Sequence, residues 1–390
     1  VKFEDLVGQQ TAVAVLRNAL RRGRVAHAYL FAGPEQVGKR TAALCFAKAL
    51  NCLTPSPDAP RVDGCDDCTA CRQIEGNRHP SVRLISPLGR GEEAQLISIH
   101  QIRPATRDQD RKRFPPSESL EKLAHLRAMP DEWRVFIIDP ADRMSVAASN
   151  ALLHTLEEPP AQVVIVLITA RSGALLDTIR SRCQEVPFRL AGAAPVEQLL
   201  QECEGVSADR ARTLAAQSGG RVGWAVEAAR QPDAPVAESR RLFEFLGDLS
   251  DAAPSAALRL ADTLKAFALE AADEPAPAGE GEAEDEGEAR PGRPNTGRVI
   301  RAQLPAIFDR MLTWYRDLLV MRESDPALVI FREEQDLLRE QAPRWRSKDI
   351  ERAIAAILES KQALERNANV ELTLEALLIR LLRLSRNGGK

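Results

Sequence analysis

Residues 29–41, Tyr-Leu-Phe-Ala-Gly-Pro-Glu-Gln-Val-Gly-Lys-Arg-Thr, constrain the fold more than any other stretch. Residues 29–32 are a short apolar run, Gly33 and Gly38 bracket a loop, and residues 41–50 are helical in character. Strand, glycine loop and helix, with the spacing G-x-x-x-x-G-K, make a phosphate-binding loop. The glycines let backbone N–H groups turn inward around phosphate oxygens. The helix N-terminus adds the positive end of its dipole, and Lys39 reaches the terminal phosphates. One position departs from the pattern. A Ser or Thr hydroxyl normally follows the lysine and binds Mg²⁺, but Arg40 stands there. Thr41 does not replace it, because one step along a helix turns the side chain by about 100°. The stretch reads as a nucleotide pocket without its metal ligand. The plain alternative is a glycine turn before a helix.

The other half of such a pocket lies at Arg134-Val135-Phe136-Ile137-Ile138-Asp139, an apolar strand ending in a carboxylate, as a Walker B strand does. The residue after that Asp is normally a Glu that polarises the attacking water. Here it is Pro140, which has no acid–base group. Gly33, Gly38, Lys39 and Asp139 are therefore the candidate nucleotide-binding residues, in degenerate form. The two losses at Arg40 and Pro140 point independently to a chain that does not hydrolyse ATP. Ser145 caps a helix stopped by Pro159-Pro160, and residues 163–169 form another buried strand.

Cys52, Cys65, Cys68 and Cys71 have the spacing C-x12-C-x2-C-x2-C. Beside a nucleotide loop this is a cytosolic metal site, not a disulfide frame. Four soft thiolates presented by tight turns suit tetrahedral Zn²⁺, and Gly64 with Asp66-Asp67 supplies a turn. Pro55, Pro57 and Pro60 leave this insert little core, so a metal would supply its stability, on the order of 10 kcal/mol. An iron–sulfur cluster is the alternative. Cys45 reads as core.

A chain of 390 residues holds two to four domains. Its net charge of −3 argues against a bare nucleic-acid binder. No run of 18 apolar residues suits a membrane span, and Val1-Lys2-Phe3-Glu4-Asp5 does not read as a signal peptide. Helical periodicity covers residues 10–22, 195–204, 207–217, 221–229 and 238–270, and resumes after Val299. Residues 88–130 are less legible. Leu96, Ile97, Ile99 and Ile102 suggest a strand passing into a helix, and 107–113 with Phe114-Pro115-Pro116 an exposed loop. Residues 272–298 are Glu/Ala/Gly/Pro-rich without a large apolar side chain, and are expected to be a disordered acidic insertion. The apolar helices after Val299 are expected to have too little chain to bury every face alone, and so to pack against other subunits.

These motifs together resemble the bacterial clamp-loader AAA+ subunits of DNA polymerase III. The matching residues are Phe3 with Leu6-Val7-Gly8-Gln9, His27-Ala28-Tyr29-Leu30-Phe31, the phosphate loop and the cysteine insert. They continue through Ser149-Asn150-Ala151-Leu152-Leu153, Thr155-Leu156-Glu157-Glu158-Pro159-Pro160 and Ser181-Arg182-Cys183. Asn367-Ala368-Asn369 and 372–378 extend the likeness, which is dense over residues 1–190 and looser beyond. Motor subunits of the tau/gamma type keep Lys-Thr in the loop and a Glu after the strand Asp, and delta lacks the cysteine insert. The delta-prime branch loses ATPase residues yet keeps Ser-Arg-Cys, and this chain resembles that branch.

The resemblance implies an α/β AAA+ P-loop domain over 1–188 with a zinc-binding insert at about 52–71. A small helical lid over 189–236 and an all-α collar over 237–390 follow. It implies a non-catalytic stator, accessory to the DNA polymerase III holoenzyme, that supports ATP-driven loading of the sliding clamp onto primed DNA. Arg182, flanked by Ser181 and Cys183, is implied to act in trans at a neighbour's ATP. The implied partners are tau/gamma and delta, with the sliding clamp and primer-template DNA reached through the complex and no membrane. The setting is the cytoplasmic, nucleoid-associated replisome. The implied cofactors are structural Zn²⁺ and ATP bound without hydrolysis. Two other readings stand beside this one: an active tau/gamma-like ATPase with an unusual metal site, and a stand-alone AAA+ DNA-binding or repair factor.

Overall fold

The computed structural model describes residues 1–54, 62–88, 96–106, 108–126, 132–230, 234–249, 252–273, 296–331, 334–365 and 368–387. The chain divides into two compact units, Val1–Ala229 and Arg230–Lys390.

The first unit is built on a five-stranded parallel sheet. Its strands are β1 (Ala28–Ala32), β2 (Val82–Ile85), β3 (Arg134–Ile138), β4 (Val163–Thr169) and β5 (Gln184–Pro187), in the order β2-β3-β4-β1-β5. Every residue of β1, β3 and β4 is buried. That is why these strands are continuous apolar runs: helices cover both faces of the sheet. Phe31, Phe46, Leu16 and Val166 pack on one face, and Leu30, Ile138, Leu152 and Leu167 on the other. The C-terminal ends of β3, β4 and β1 lie side by side, where open α/β sheets gather their ligands.

β5 is an edge strand with only Val186 buried, so it carries no apolar signature in the sequence. Gln9 anchors the segment after it. The Gln9 side-chain amide donates to Arg189 O at 2.7 Å, and Arg189 N–H donates back to Gln9 Oε1 at 3.1 Å. Gly8 has φ 76°, and a Cβ there would lie 2.7 Å from Ala191 Cβ. The Gly8-Gln9 pair thus has a packing role. Three helices follow, Ala193–Cys203, Ala208–Gln217 and Val222–Arg230, around a small core of Val196, Leu200, Ala211, Leu214 and Ala225.

Two local expectations change. Ile97 makes a single bridge to Met144, not a strand, before the helix Ile99–Ile102. Asp108–Arg113 is a helix, not an exposed loop. Its acids come first and its bases last, which complements the helix dipole. Arg107 lies outside the described residues.

The second unit is helical: Ala234–Asp248, Ala257–Asp273, Thr296–Glu323, Gln335–Gln341, Ser347–Glu365 and Val370–Asn387. Within the stretch expected to be helical, 238–270, the first helix ends at Asp248, and Pro254 opens a 3₁₀ turn, Pro254–Ala256, before the next helix. Of the stretch expected as an acidic insertion, 272–298, residues 272–273 and 296–298 are helical. Residues 274–295 lie outside the described residues. Trp314 stacks on Phe243 with centroids 5.0 Å apart, and Tyr315 meets Trp345 edge-on. Asp317 is fully buried and accepts the amides of Ile330 and Phe331, each at 2.9 Å. The expectation that these helices cannot bury their own faces is not met. They close a core of their own, and the exposed large apolar side chains among their described residues are Leu258, Leu328, Leu358 and Leu372. Single exposed side chains of this kind are ordinary.

Candidate functional site

The helix Lys39–Asn51 carries a candidate site at each end. At its N-terminus the loop bends through Gln36 (φ 58°) and Gly38 (φ 94°). A Cβ on Gly33 would lie 2.2 Å from Phe188 O, so only glycine fits there. Lys39 is buried, and its Nζ donates to Gly33 O at 2.6 Å and to Pro34 O. Burial pulls the Lys39 pKa below the usual lysine range, against the nearby carboxylates Asp139, Glu35 and Asp142.

Arg40, on the first turn of the same helix, places Nε 2.6 Å from Asp139 Oδ2. A guanidinium therefore sits on the carboxylate that, in an active site of this kind, faces a metal ion. At the end of β4, Thr169 Oγ1 donates to Asp142 Oδ1 at 2.8 Å. Arg171 Nη2 reaches Asp142 Oδ2 at 2.8 Å. The helix Val222–Arg230 closes over the loop: Gly223 N–H donates to Gln36 O at 2.7 Å. A Cβ at Gly223 would lie 3.2 Å from both Gln36 Cβ and Gln36 O.

Three cations, Lys39, Arg40 and Arg171, thus share this corner with three carboxylates, Glu35, Asp139 and Asp142. The corner also has no hydroxyl at position 40 to hold a metal and no carboxylate at position 140 to polarise water.

At the other end, Cys52 caps the helix and joins Cys65, Cys68 and Cys71. The four sulfurs lie within 4.8 Å of one another. Zn–S bonds of about 2.3 Å in a tetrahedron put sulfurs about 3.8 Å apart. The set fits one ion, whereas a cluster of several irons would spread the sulfurs further. Cys68 N–H donates to Cys65 Sγ at 3.2 Å and Cys71 N–H to Cys68 Sγ at 3.4 Å. The Thr54 hydroxyl and then the Cys68 amide pull the Cys65 pKa down to about 6, which favours the thiolate that a metal requires. Burial pushes Cys52 and Cys71 up. These four cysteines are a metal-binding set suited to structural Zn²⁺, which when bound would cross-link the turn to the helix.

The turn is also held without metal. Lys48, 2% exposed, donates to Asp66 at 2.7 Å and Glu75 at 2.8 Å. Burial acts to lower its pKa, but the two carboxylates outweigh burial and hold it above the usual range. A Cβ on Gly64 would lie 2.7 Å from Lys48 Cβ and 3.1 Å from Cys71 Sγ.

Arg182 bonds to neither cluster. Its Nη2 donates to Glu157 Oε1 at 2.8 Å and its Nη1 to Thr178 O at 2.9 Å. Ser181 Oγ also donates to Thr178 O, and burial pushes the Cys183 thiol up to about 12.

Residues 8–191 match the family described as DNA polymerase III, delta subunit. The chain is 28% identical over 377 residues to DNA polymerase III subunit delta' of Bacillus subtilis, covering 96% of each. Over these residues the chain is similar to the AAA+ clamp-loader subunits of DNA polymerase III. It is also 36% identical over 188 residues to the tau subunit of Bacillus subtilis, which covers 48% of this chain and 29% of that one. A gamma/tau subunit of Mycobacterium tuberculosis H37Rv is 33% identical over 212 residues, covering 54% of this chain and 33% of its own. The chain therefore spans about a third or less of those two clamp-loader relatives. No described helix is long and apolar enough to cross a membrane.

Gly33, Gly38, Lys39 and Asp139 lie together at the C-terminal ends of β1 and β3, and the four cysteines meet at the far end of the helix. Sequence reasoning missed Glu35, Asp142, Thr169, Arg171, Gly223, Glu157 and Lys48. Lys48 did leave a signal, as a lone charge within Cys45-Phe46-Ala47-Lys48-Ala49-Leu50. Glu35 lies within the loop itself, and the others depend on contacts between more distant segments.

Proposed function

We propose that this chain is the non-catalytic, delta-prime-type stator of a DNA polymerase III clamp loader. It works beside tau/gamma and delta subunits, in the cytoplasm at the replisome, where the complex spends ATP to set the sliding clamp on primer-template DNA. Residues 1–188 supply the AAA+ domain with its zinc module, 189–236 the lid, and 237–390 the collar that joins the ring of subunits. The observation that carries this reading is the Arg40–Asp139 ion pair, at 2.6 Å, beside Pro140. A pocket whose strand carboxylate is taken by a guanidinium, and which has no second carboxylate, lacks the parts that position metal and water in phosphoryl transfer. Gly33, Gly38 and Lys39 are the remaining contacts for a nucleotide held without hydrolysis.

Arg182 is the arginine offered in trans to a neighbour's γ-phosphate, because a guanidinium is always charged and forked to match phosphate oxygens. The test is reconstitution with tau/gamma and delta, measuring ATP turnover and clamp loading on primed DNA. The pure chain should show no turnover, and complexes lacking it should fail to load. Arg182→Ala should assemble normally and lower stimulated hydrolysis, by less than the ~10³–10⁵ known for such fingers because other sites keep working. Steady-state turnover by the pure chain, abolished by Lys39→Ala, would overturn the reading.

A further inference from the structure

We infer that Glu157 is a positioning residue for Arg182, holding its guanidinium ready before the neighbouring phosphate arrives. This rests on the trans role proposed for Arg182. The two grips on the guanidinium come from different elements. Glu157 is the last residue of the helix Val146–Glu157, and Thr178 lies in the helix Asp177–Arg180. Nη2 is held by the Glu157 carboxylate at 2.8 Å and Nη1 by the Thr178 carbonyl at 2.9 Å. Two anchors on two nitrogens fix the plane of the group as well as its place.

An unheld arginine has ~2 kcal/mol of rotamer entropy to lose on meeting a ligand, and a fork fixed beforehand loses less. The two bonds use two of the five N–H donors, and the side chain is 36% exposed, so the rest of the fork is available outward. The Glu157 side chain is 50% exposed. Exposed pairs of this kind contribute little to folding, so the contact is poorly explained as a stability device. It is well suited to aiming a charge that acts elsewhere. Glu157 also follows Thr155-Leu156 in a helix whose buried residues Leu152 and Leu156 fix it to the core, which gives the carboxylate a rigid base.

The experiment uses the full chain assembled with tau/gamma and delta, with subunit stoichiometry confirmed for every variant. Glu157→Ala should lower clamp- and DNA-stimulated turnover by about 3–10-fold, short of the ~10²-fold that a 1 Å misplacement can cost. Glu157→Gln, whose amide oxygen still accepts from Nη2, should return turnover to within about 2-fold of wild type, since the hydrogen bond sets the geometry. Glu157→Ala combined with Arg182→Ala should be no slower than Arg182→Ala alone, as residues acting as a unit are not additive. Wild-type turnover in Glu157→Ala, a Gln variant as slow as the Ala variant, or a further loss in the double variant would each overturn the positioning role while leaving Arg182 in place. Wild-type turnover in Arg182→Ala itself would remove the trans role and this inference with it.

Discussion

The two ends of the helix Lys39–Asn51 are about 20 Å apart, at 1.5 Å per residue, and have gone opposite ways. At the C-terminal end the ligand set is complete. Four sulfurs converge, backbone amides point at two of them, and a buried lysine ties the turn down. At the N-terminal end the loop geometry is kept, but its polar groups have found partners within the chain. Lys39 bonds to loop carbonyls, Arg40 to Asp139, Arg171 to Asp142, and Gly223 to Gln36. A fold can keep the shape of a site long after its chemistry has gone, because shape is set by glycines and packing while chemistry hangs on one or two side chains.

The largest effect should come from the cysteine end. Elemental analysis should find about one zinc per chain. Cys68→Ser should lose the metal, whose binding contributes on the order of 10 kcal/mol in small zinc modules. Amide exchange over residues 62–76 should then accelerate while β1 and β4 stay protected. Metal-free protein with undiminished protection there would show that the Lys48 contacts alone hold the turn, and the contrast between the two ends would collapse.

A smaller effect is expected where the helix Val222–Arg230 meets the loop. Gly223→Leu must push Gln36 away, since even its Cβ would sit at 3.2 Å, and should cost about 1–3 kcal/mol as an overpacked contact. Gly223→Ala should come out near neutral, because the ~1 kcal/mol of helix propensity gained offsets the crowding. Urea unfolding monitored by probes in the first unit separates the two. A Leu variant as stable as wild type would mean that the helix Val222–Arg230 does not depend on this contact.

The smallest effect should follow Arg40→Ala. The Arg40 side chain is 54% exposed, and pairs of that exposure contribute about 0–1 kcal/mol. The same unfolding measurement should barely move. A loss above about 3 kcal/mol, the size seen when a buried pair is broken, would make the ion pair a structural element and not a by-product of lost chemistry.

Much of this contrast was legible in the sequence because it lies in short local spacings. Gly33, Gly38 and Lys39 are a contiguous motif, and Cys65, Cys68 and Cys71 are three residues apart. The buried strands β1, β3 and β4 announce themselves as apolar runs for the same reason, since both faces are covered. What was not legible is long-range or depends on an edge. Arg40 and Asp139 are 99 positions apart, and Gln9 and Arg189 are 180 apart. β5 is half polar because one side of it faces no further strand. The helical unit was misjudged for a related reason. Periodicity shows which face of a helix is apolar, but not that Phe243, Trp314 and Phe331 belong to one cluster and satisfy one another.

The closeness of Gly223 to Gln36 bears on whether this pocket could evolve back. Position 40 would need a hydroxyl and position 140 a carboxylate, and a long side chain at 223 would crowd the loop at Gln36. Replacing Arg40 alone leaves Lys39 as the remaining cation near Asp139, and replacing Pro140 alone adds a fourth acid to the corner. A side chain longer than Ala at 223 has nowhere to go until Gln36 moves. No single substitution among these supplies both the hydroxyl and the carboxylate that positions 40 and 140 lack. Such a pocket is held in its inactive form by the order in which mutations would have to arrive, even if selection on the complex later favoured another motor.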